Sequence, residues 1–404
     1  MTVNSNLKRK ILLFSTLNPY PFWAGSESFW FDFVRDERVC ARFDFEVVLA
    51  DSPATRTRAE ILGRQGIKTD FYKHFNVDFT RRNLYRLADK FRKKDVRTLP
   101  WFEKIRSEKC DLVWFNVAAL ADLRDLLYPI RICRELKIPY WLILQHGAED
   151  FFLTSEKEIE AVAEVAVSAK KFIFISRKNR FSLERAIGQK LENAFHSVNA
   201  LPAGKIDEAK KIADNSPVGR RETAQFFNLG RFSPQDKAQH LLIEALAKDV
   251  WKARDWQLNF IGVDGFGKFY LEKFIDFYGL NREKIKILAH TADVFGEIAR
   301  NDVLLMPSLA EGTPFAMIEA MACGRPALGT PVGGIPELVI ENKTGWLAAT
   351  VDVRDVGEKL EQIWQERAKW REFGQNAQKH IEENNNQEKS FADLSDALAA
   401  DTNL

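Results

Sequence analysis

The stretch Met306–Leu347, MPSLAEGTPFAMIEAMACGRPALGTPVGGIPELVIENKTGWL, decides the fold. The apolar run Val303–Met306 leads into it and Pro326–Gly329 lies inside it, each with the length and content of a buried strand. Between them Thr313 is placed to cap a helix with Pro314 at its first position, and Gly324 and Pro326 stop that helix after Cys323. A helix from Pro314 to about Ala322 between two short buried strands is a βαβ unit. It commits the surrounding chain to a parallel sheet with helices on its faces.

The same alternation continues outward. Upstream, strand candidates at Thr223–Leu229, Gln257–Ile261 and Ile285–Leu288 are separated by helical patterns that include His240–Lys248 and Lys268–Tyr278. The first half repeats the design, with Ile11–Leu17, Phe43–Leu49, Leu112–Phe115, Tyr140–Leu144 and Lys171–Ile175 as strands and Ser26–Arg38 and Leu120–Leu136 as helices. A polar stretch bearing Pro and Gly, from Leu201 to Pro217, separates the two series and marks a domain boundary. The prediction is an α/β protein of two Rossmann-like doubly wound domains. Ligands bind beyond the carboxyl ends of the strands in such sheets, so two of them face to face enclose a cleft. The last helical pattern, Val353–Lys379, precedes Glu382-Glu383-Asn384-Asn385-Asn386, read as a solvated turn, and an amphipathic tail, Phe391–Leu398, that needs a surface to pack on.

Length and composition agree. At 404 residues the chain has room for two or three full cores, which excludes a small disulfide-stapled scaffold. The cysteines, Cys40, Cys110, Cys133 and Cys323, are far apart with no C-x-x-C pair, so neither a zinc cluster nor a secreted disulfide framework is indicated and a cytosolic setting is expected. Lys8-Arg9-Lys10 before Ile11–Phe14 imitates a signal peptide, but the apolar run is too short and lacks a cleavage site, so it reads as a first strand. No run approaches the length of a membrane-crossing helix. The formal charge of +2 hides an asymmetry: residues 1–200 hold 34 Lys/Arg and 26 Asp/Glu (+8), residues 201–404 hold 25 and 31 (−6). The bulk charge gives no sign of a nucleic-acid partner, while the first half is suited to face something anionic.

Two clusters carry chemistry. Glu311 lies in the loop at the mouth of the helix that starts at Pro314, and Glu319 lies five residues inside it, about 7.5 Å further along. Between these acids the free backbone N–H groups of Phe315 and Ala316 offer a site for phosphate oxygens or sugar hydroxyls. The second cluster is Asn228–Lys237, NLGRFSPQDK, which places Arg231 and Lys237 on a strand-to-helix turn at the ligand-binding edge of the second sheet. Acids and cations in one domain imply a bound diphosphate.

In this order, Gly-Arg-x5-Lys (Gly230, Arg231, Lys237), Pro307-Ser308, Glu311-Gly312, Glu-x7-Glu, Ala320-Met321-Ala322-x-Gly324-x-Pro326 and Gly333-Gly334-x2-Glu337 resemble the family 4 retaining glycosyltransferases, also called glycosyl transferases group 1, of GT-B fold. The resemblance is strongest over Phe227–Leu347. It implies residues 1–205 as an acceptor-binding domain, with about 386–404 crossing back to it, and 206–385 as the nucleotide-sugar-binding domain. It further implies that Arg231 and Lys237 neutralise the donor diphosphate, that Glu311 binds sugar hydroxyls, that the backbone of Gly312, Thr313, Pro314 and Phe315 fixes the sugar, and that Glu319 holds the ribose. Trp23-Ala24-Gly25-Ser26-Glu27 resembles the family's glycine loop beside the donor phosphates, with Ala24 in place of a first glycine. His146-Gly147 matches a histidine that lines the reaction centre. No metal ion or other cofactor is expected. Ala238 stands where a glycine commonly follows the lysine, and Asn199-Ala200-Leu201-Pro202 replaces an Asn-Gly before the linker. Glu149 and Asp150, close to His146, are candidates to assist acceptor deprotonation or plain surface acids.

The function implied is retaining transfer of a sugar from a nucleotide-diphosphate donor to a glycan or lipid-linked acceptor in polysaccharide or glycoconjugate synthesis. A sugar-nucleotide epimerase of the same architecture and a catalytically idle sugar-nucleotide-binding subunit are the alternatives. In the segment Arg81–Lys94, apolar Leu84, Leu87, Ala88 and Phe91 share a helical face among cations. That face suits an anionic membrane surface, which would make the protein peripheral at the inner face of a membrane, and equally suits packing on the first sheet.

Overall fold

In the computed structural model the chain is described over residues 8–15, 25–72, 100–148, 151–216, 218–219 and 221–402. Trp23-Ala24, the basic segment 81–94, Glu149 and Asp150 lie outside the described residues.

Two sheets organise the molecule. The first is built from β1 (Arg9–Ser15), β2 (Phe43–Ala50), β3 (Lys68–Tyr72), β4 (Leu112–Ala119), β5 (Tyr140–Ala148), β6 (Lys171–Phe174) and β7 (Ala194–His196), parallel, in the order β3-β2-β1-β4-β5-β6-β7. The second is built from β8 (Ala224–Leu229), β9 (Trp256–Gly262), β10 (Ile285–Ala289), β11 (Val303–Met306), β13 (Ala327–Gly329) and β14 (Gly345–Leu347), in the order β10-β9-β8-β11-β13-β14. A two-residue strand, β12 (Ala310–Glu311), leaves the second domain and pairs antiparallel with β5 of the first, Ala310 opposite Ala148 and Glu311 opposite Gly147. The predicted pair of doubly wound domains is therefore present, joined across the cleft by backbone. The central strands are continuous apolar runs because helices cover both faces; Ile11, Leu12, Leu13 and Phe14 are all fully buried.

Six helices shape the cleft and its surroundings: α1 (Gly25–Phe33), α2 (Arg177–Ile187), α3 (Ala203–Asn215), α4 (Lys268–Phe277), α5 (Phe315–Ala322) and α6 (Gln387–Thr402). Several expectations need correction. The predicted helix 26–38 ends at Phe33, and a new one begins at Glu37 because Asp36 caps it through Arg38 and Val39. The stretch 201–217 is not a plain linker: its Lys, Ile and Ala residues form α3, whose Ala209 is buried against α5 and the helix Val294–Ala299 of the second domain. The expected boundary at residues 205/206 falls inside this helix. The stretch 382–386 is not a solvated turn. Helix Trp370–Asn384 runs through its start, and buried Asn385 donates from Nδ2 to Asn199 O at 2.6 Å while its Oδ1 accepts from Leu201 N at 3.1 Å. One asparagine thus ties together the two strands of chain that cross between the domains.

The tail finds its surface on the first domain. Phe391, Leu394 and Leu398 of α6 enter a core with Ile11, Phe29, Phe33, Trp114 and Trp141. Phe391 meets Phe33 edge-on at 5.4 Å, and Trp141 Nε1 donates to Asp401 Oδ2 at 2.9 Å. Among the described residues no helix is long and apolar enough to cross a membrane.

Candidate active site

The carboxyl ends of β1, β4 and β5 and the loops after β8, β11 and β12 converge on the cleft. Glu311 occupies the strand that bridges it. Its backbone belongs to the first sheet, through Gly147 and through Asn179 Nδ2, which donates to Glu311 O at 3.1 Å. Its side chain belongs to the second domain: Lys237 Nζ lies 2.6 Å and Ser308 Oγ 2.7 Å from Glu311 Oε1. Both ends of the ion pair are sheltered, with side-chain exposures of 5 % for Glu311 and 20 % for Lys237.

Lys237 is presented at the end of the short helix Pro234–Lys237, which stops because Ala238 adopts φ +46°, the left-handed region that favours glycine. The departure from a glycine noted in the sequence is thus carried as backbone strain immediately beside the lysine. Arg231 Nη2 is held by Asp236 Oδ2 at 2.8 Å, and Ser233 Oγ donates to the same oxygen at 3.0 Å.

The loop after Glu311 admits no side chain. A Cβ at Gly312 would stand 2.0 Å from Gln145 O of the first domain, and one at Gly333, whose φ is +51°, would stand 2.4 Å from Glu311 O. Thr313 does not cap α5 as expected. Its hydroxyl donates to Ile175 O of the first domain, Pro314 becomes the N-cap, and the helix starts at Phe315. Asn199 Nδ2 donates to Thr313 O at 2.9 Å. Gly25, the first residue of α1, faces this helix start, since a Cβ there would lie 3.6 Å from the Phe315 ring. Two helix N-termini, one from each domain, meet at one place, a geometry suited to anionic oxygens.

His146 reaches the bridging strand. Its Nε2 lies 3.0 Å from Ala310 O, which can only accept, so Nε2 carries the proton. Burial, with Lys237 adding to it, pushes the ring's pKa below the usual range and keeps it neutral. Glu319 sits one turn inside α5 with no hydrogen-bond partner for its carboxyl among the described residues; burial raises its pKa from 4.5 to about 7, against the opposing pull of Lys205. The structure therefore brings Gly25, His146, Arg231, Lys237, Glu311, Gly312, Thr313, Pro314, Phe315 and Glu319 to the cleft-facing ends of the two domains.

Three contributors were not singled out in the sequence. Asn179 locks Glu311 to the first domain, and its only sequence trace is Gly147, where a Cβ would collide with Asn179 Oδ1 at 2.6 Å. Glu337, quoted only as part of a motif, accepts from Arg177 N at 2.8 Å at the start of α2 and lies 3.3 Å from His196 Nε2, a second tie between domains. Glu27 is buried beneath the strand ends, accepting from Ser15 Oγ at 2.7 Å, Trp30 Nε1 at 2.5 Å and Asn116 Nδ2 at 3.1 Å; burial lifts its pKa to about 7.

The chain resembles known proteins in sequence and in fold. Residues 209–380 match the glycosyl transferases group 1. The N-acetyl-alpha-D-glucosaminyl L-malate synthase of Bacillus anthracis is 32% identical over 107 residues, 26% of this chain and 28% of that protein. An uncharacterized glycosyltransferase of Methanocaldococcus jannaschii is 28% identical over 263 residues, 63% of this chain and 66% of that protein. The chain thus spans between about a quarter and two thirds of the length of these relatives. Anabaena HepE, solved in complex with UDP, superposes with a TM-score of 0.71 at 19% identity over 97% of this chain and all of that one. A glycosyltransferase of Rickettsia africae superposes with a TM-score of 0.69 at 13% identity, covering 98% of each chain. The chain carries the GT-B fold, and its residues 209–380 are similar to the glycosyl transferases group 1.

Proposed function

We propose that the protein is a retaining glycosyltransferase that moves a sugar from a nucleotide-diphosphate donor to a glycan or lipid-linked acceptor in glycan biosynthesis. The observation that carries this reading is the convergence of Arg231, Lys237 and two helix N-termini on one edge of the cleft, with Glu311 and Glu319 at two depths beside them. The cations neutralise the diphosphate and the charge that grows on it as the glycosidic bond breaks. They are oriented by Asp236 and Glu311, with which an arriving diphosphate competes. Charge neutralisation by these two side chains also supports transfer without a metal ion. Glu311 and the backbone of Gly312–Phe315 position the sugar, Glu319 takes the ribose hydroxyls, and neutral His146 lines the reacting centre. In a same-face process the donor phosphate itself helps remove the acceptor proton, and no enzyme nucleophile is required.

The test is thermal stabilisation by UDP, GDP, ADP and TDP and their sugar conjugates, with UDP first because HepE was solved with it. At 100 times its dissociation constant a donor adds about 2.7 kcal/mol to the folded state. The Arg231→Ala/Lys237→Ala variant should lose that shift. Transfer that requires an acceptor and survives a chelator supports the proposal. Turnover of the sugar nucleotide without any acceptor would replace it with epimerisation, and binding without turnover with an idle subunit.

A further inference from the structure

The outer face of α4 is unlike the rest of the surface. Leu271 and Ile275 turn into the second domain, which leaves Phe269 (61 % exposed), Tyr270 (50 %) and Phe277 (80 %) on the opposite face with Lys273 between them. Phe266, 85 % exposed, precedes the helix at φ +68°. The glycines on either side of it are pressed against the donor edge of the cleft: a Cβ at Gly265 would lie 2.4 Å from Arg231 Cγ, and one at Gly267 would lie 2.4 Å from Phe232 O. The ring of Phe266 therefore stands outward at the cleft's rim. Together the four rings present roughly 550 Å² of aromatic surface, at the upper end of what a soluble monomer shows in one patch. Elsewhere the exposed rings Phe152 and Phe181 are single, each covered by a cation, Arg185 and Lys190.

The other charged side chains around the stripe each have a partner. Asp264 accepts from Gly267 N and Lys268 N, Glu272 lies 4.0 Å from Lys268 Nζ, and Asp276 is held by Arg282 at 2.6 Å. Lys273 stands over the Phe269 ring, 5.5 Å from its centroid, at the middle of the stripe. Aromatic rings around a lysine are the composition of an interfacial helix, with rings entering the head-group zone and the ammonium meeting lipid phosphates. A second copy fits less well. The area falls short of the roughly 800 Å² per partner of a stable interface, and a twofold axis through the stripe would set Lys273 against its own copy.

We propose that the outer face of α4, Phe266 through Phe277, docks on a lipid bilayer and brings the Arg231 edge of the cleft to the membrane surface. The proposal uses none of residues 81–94 and does not rest on the proposed transfer reaction.

The full chain should co-sediment with phosphatidylcholine vesicles, and more strongly when phosphatidylglycerol is added. Phe269→Ser/Phe277→Ser should lower partitioning at least tenfold with an unchanged melting temperature, because both rings are already solvent-exposed. Lys273→Glu should weaken binding to the anionic vesicles alone. Phe152→Ser/Phe181→Ser should leave binding intact. The proposal is overturned if the wild type binds neither vesicle, or if the α4 variant binds as well as the wild type. It is equally overturned if only charge reversal at Arg92, Lys93 and Lys94 releases the protein. Self-association without lipid that the α4 variant abolishes would assign the face to a second copy instead.

Discussion

Replacing Glu319 by Gln should stabilise the ligand-free protein at neutral pH, although the residue lies in the donor site. Glu319 is half-buried on an otherwise apolar helix and its carboxyl has no hydrogen-bond donor among the described residues, so ionising it is costly. Its pKa rises from 4.5 in the unfolded chain to about 7 in the fold, so the native state binds the proton more tightly. The stability this confers is fully present below pH 4.5 and is lost as pH rises through 7. At about 1.4 kcal/mol per pKa unit the shift corresponds to about 3 kcal/mol lost by pH 8. Glutamine keeps the shape of the protonated acid and does not titrate. Urea denaturation of both proteins at pH 4, 6 and 8 should therefore give similar stabilities at pH 4 and a variant more stable by up to about 3 kcal/mol at pH 8. Glu27 titrates over the same interval but is common to both chains and cancels in the difference. A difference that stays constant with pH, or a variant less stable at pH 8, would refute the reasoning. The same variant should show a reduced thermal shift with donor, since an amide replaces an acceptor of two ribose hydroxyls.

Three further substitutions test the architecture. Gly312→Ala places a methyl 2.0 Å from Gln145 O, a backbone atom that cannot yield, and should abolish the donor-induced thermal shift while circular dichroism shows both domains still folded. Arg325 is fully buried and donates to carbonyls of Ser216, Ile298, Ala299, Asn301 and Cys323; Arg325→Lys supplies too few donors for them and should cost about 3 kcal/mol in urea denaturation. Leu394→Ala, fully buried where α6 meets the first domain, should cost about 3 kcal/mol and loosen the near-ultraviolet signal of Trp141.

What could be read from the sequence was what is local. The unit from Val303 to Gly329 has strand, helix and stop signals within one short stretch, and the structure keeps all three, moving only the cap from Thr313 to Pro314. Gly312, Gly333 and Gly334 entered the sequence reading as motif positions; what approaches Gly312 was not legible, because Gln145 lies 167 residues away in the other domain. Thr313 shows the same limit: its hydroxyl has a local use as a cap and a distant one at Ile175, and only the tertiary structure chooses. Strands β3 and β7 escaped notice because they lie at the edges of the first sheet, where β3 alternates exposed with half-buried residues and β7 is only three residues long with none fully buried. Helix α3 was masked by the Pro202 and Gly204 at its start, which punctuate loops as readily as they begin helices.

The bridging strand decides when the acidic loop is in working order. Glu311 has its carboxylate in one domain and its carbonyl in the other, so the two domains cannot part without breaking the β5–β12 pairing, the Asn179 bond and the Thr313 bond to Ile175. Parting would also carry the Ala310 carbonyl away from His146 and the Glu337 carboxylate away from the start of α2. In the joined arrangement Lys237 is already neutralised by Glu311, so an arriving diphosphate competes with a buried carboxylate for it, and Arg231, paired with a more exposed Asp236, is the easier first contact. Loss of Arg231 alone should therefore slow donor capture more than loss of Lys237, while loss of Lys237 should strand a buried carboxylate and show first as lost stability.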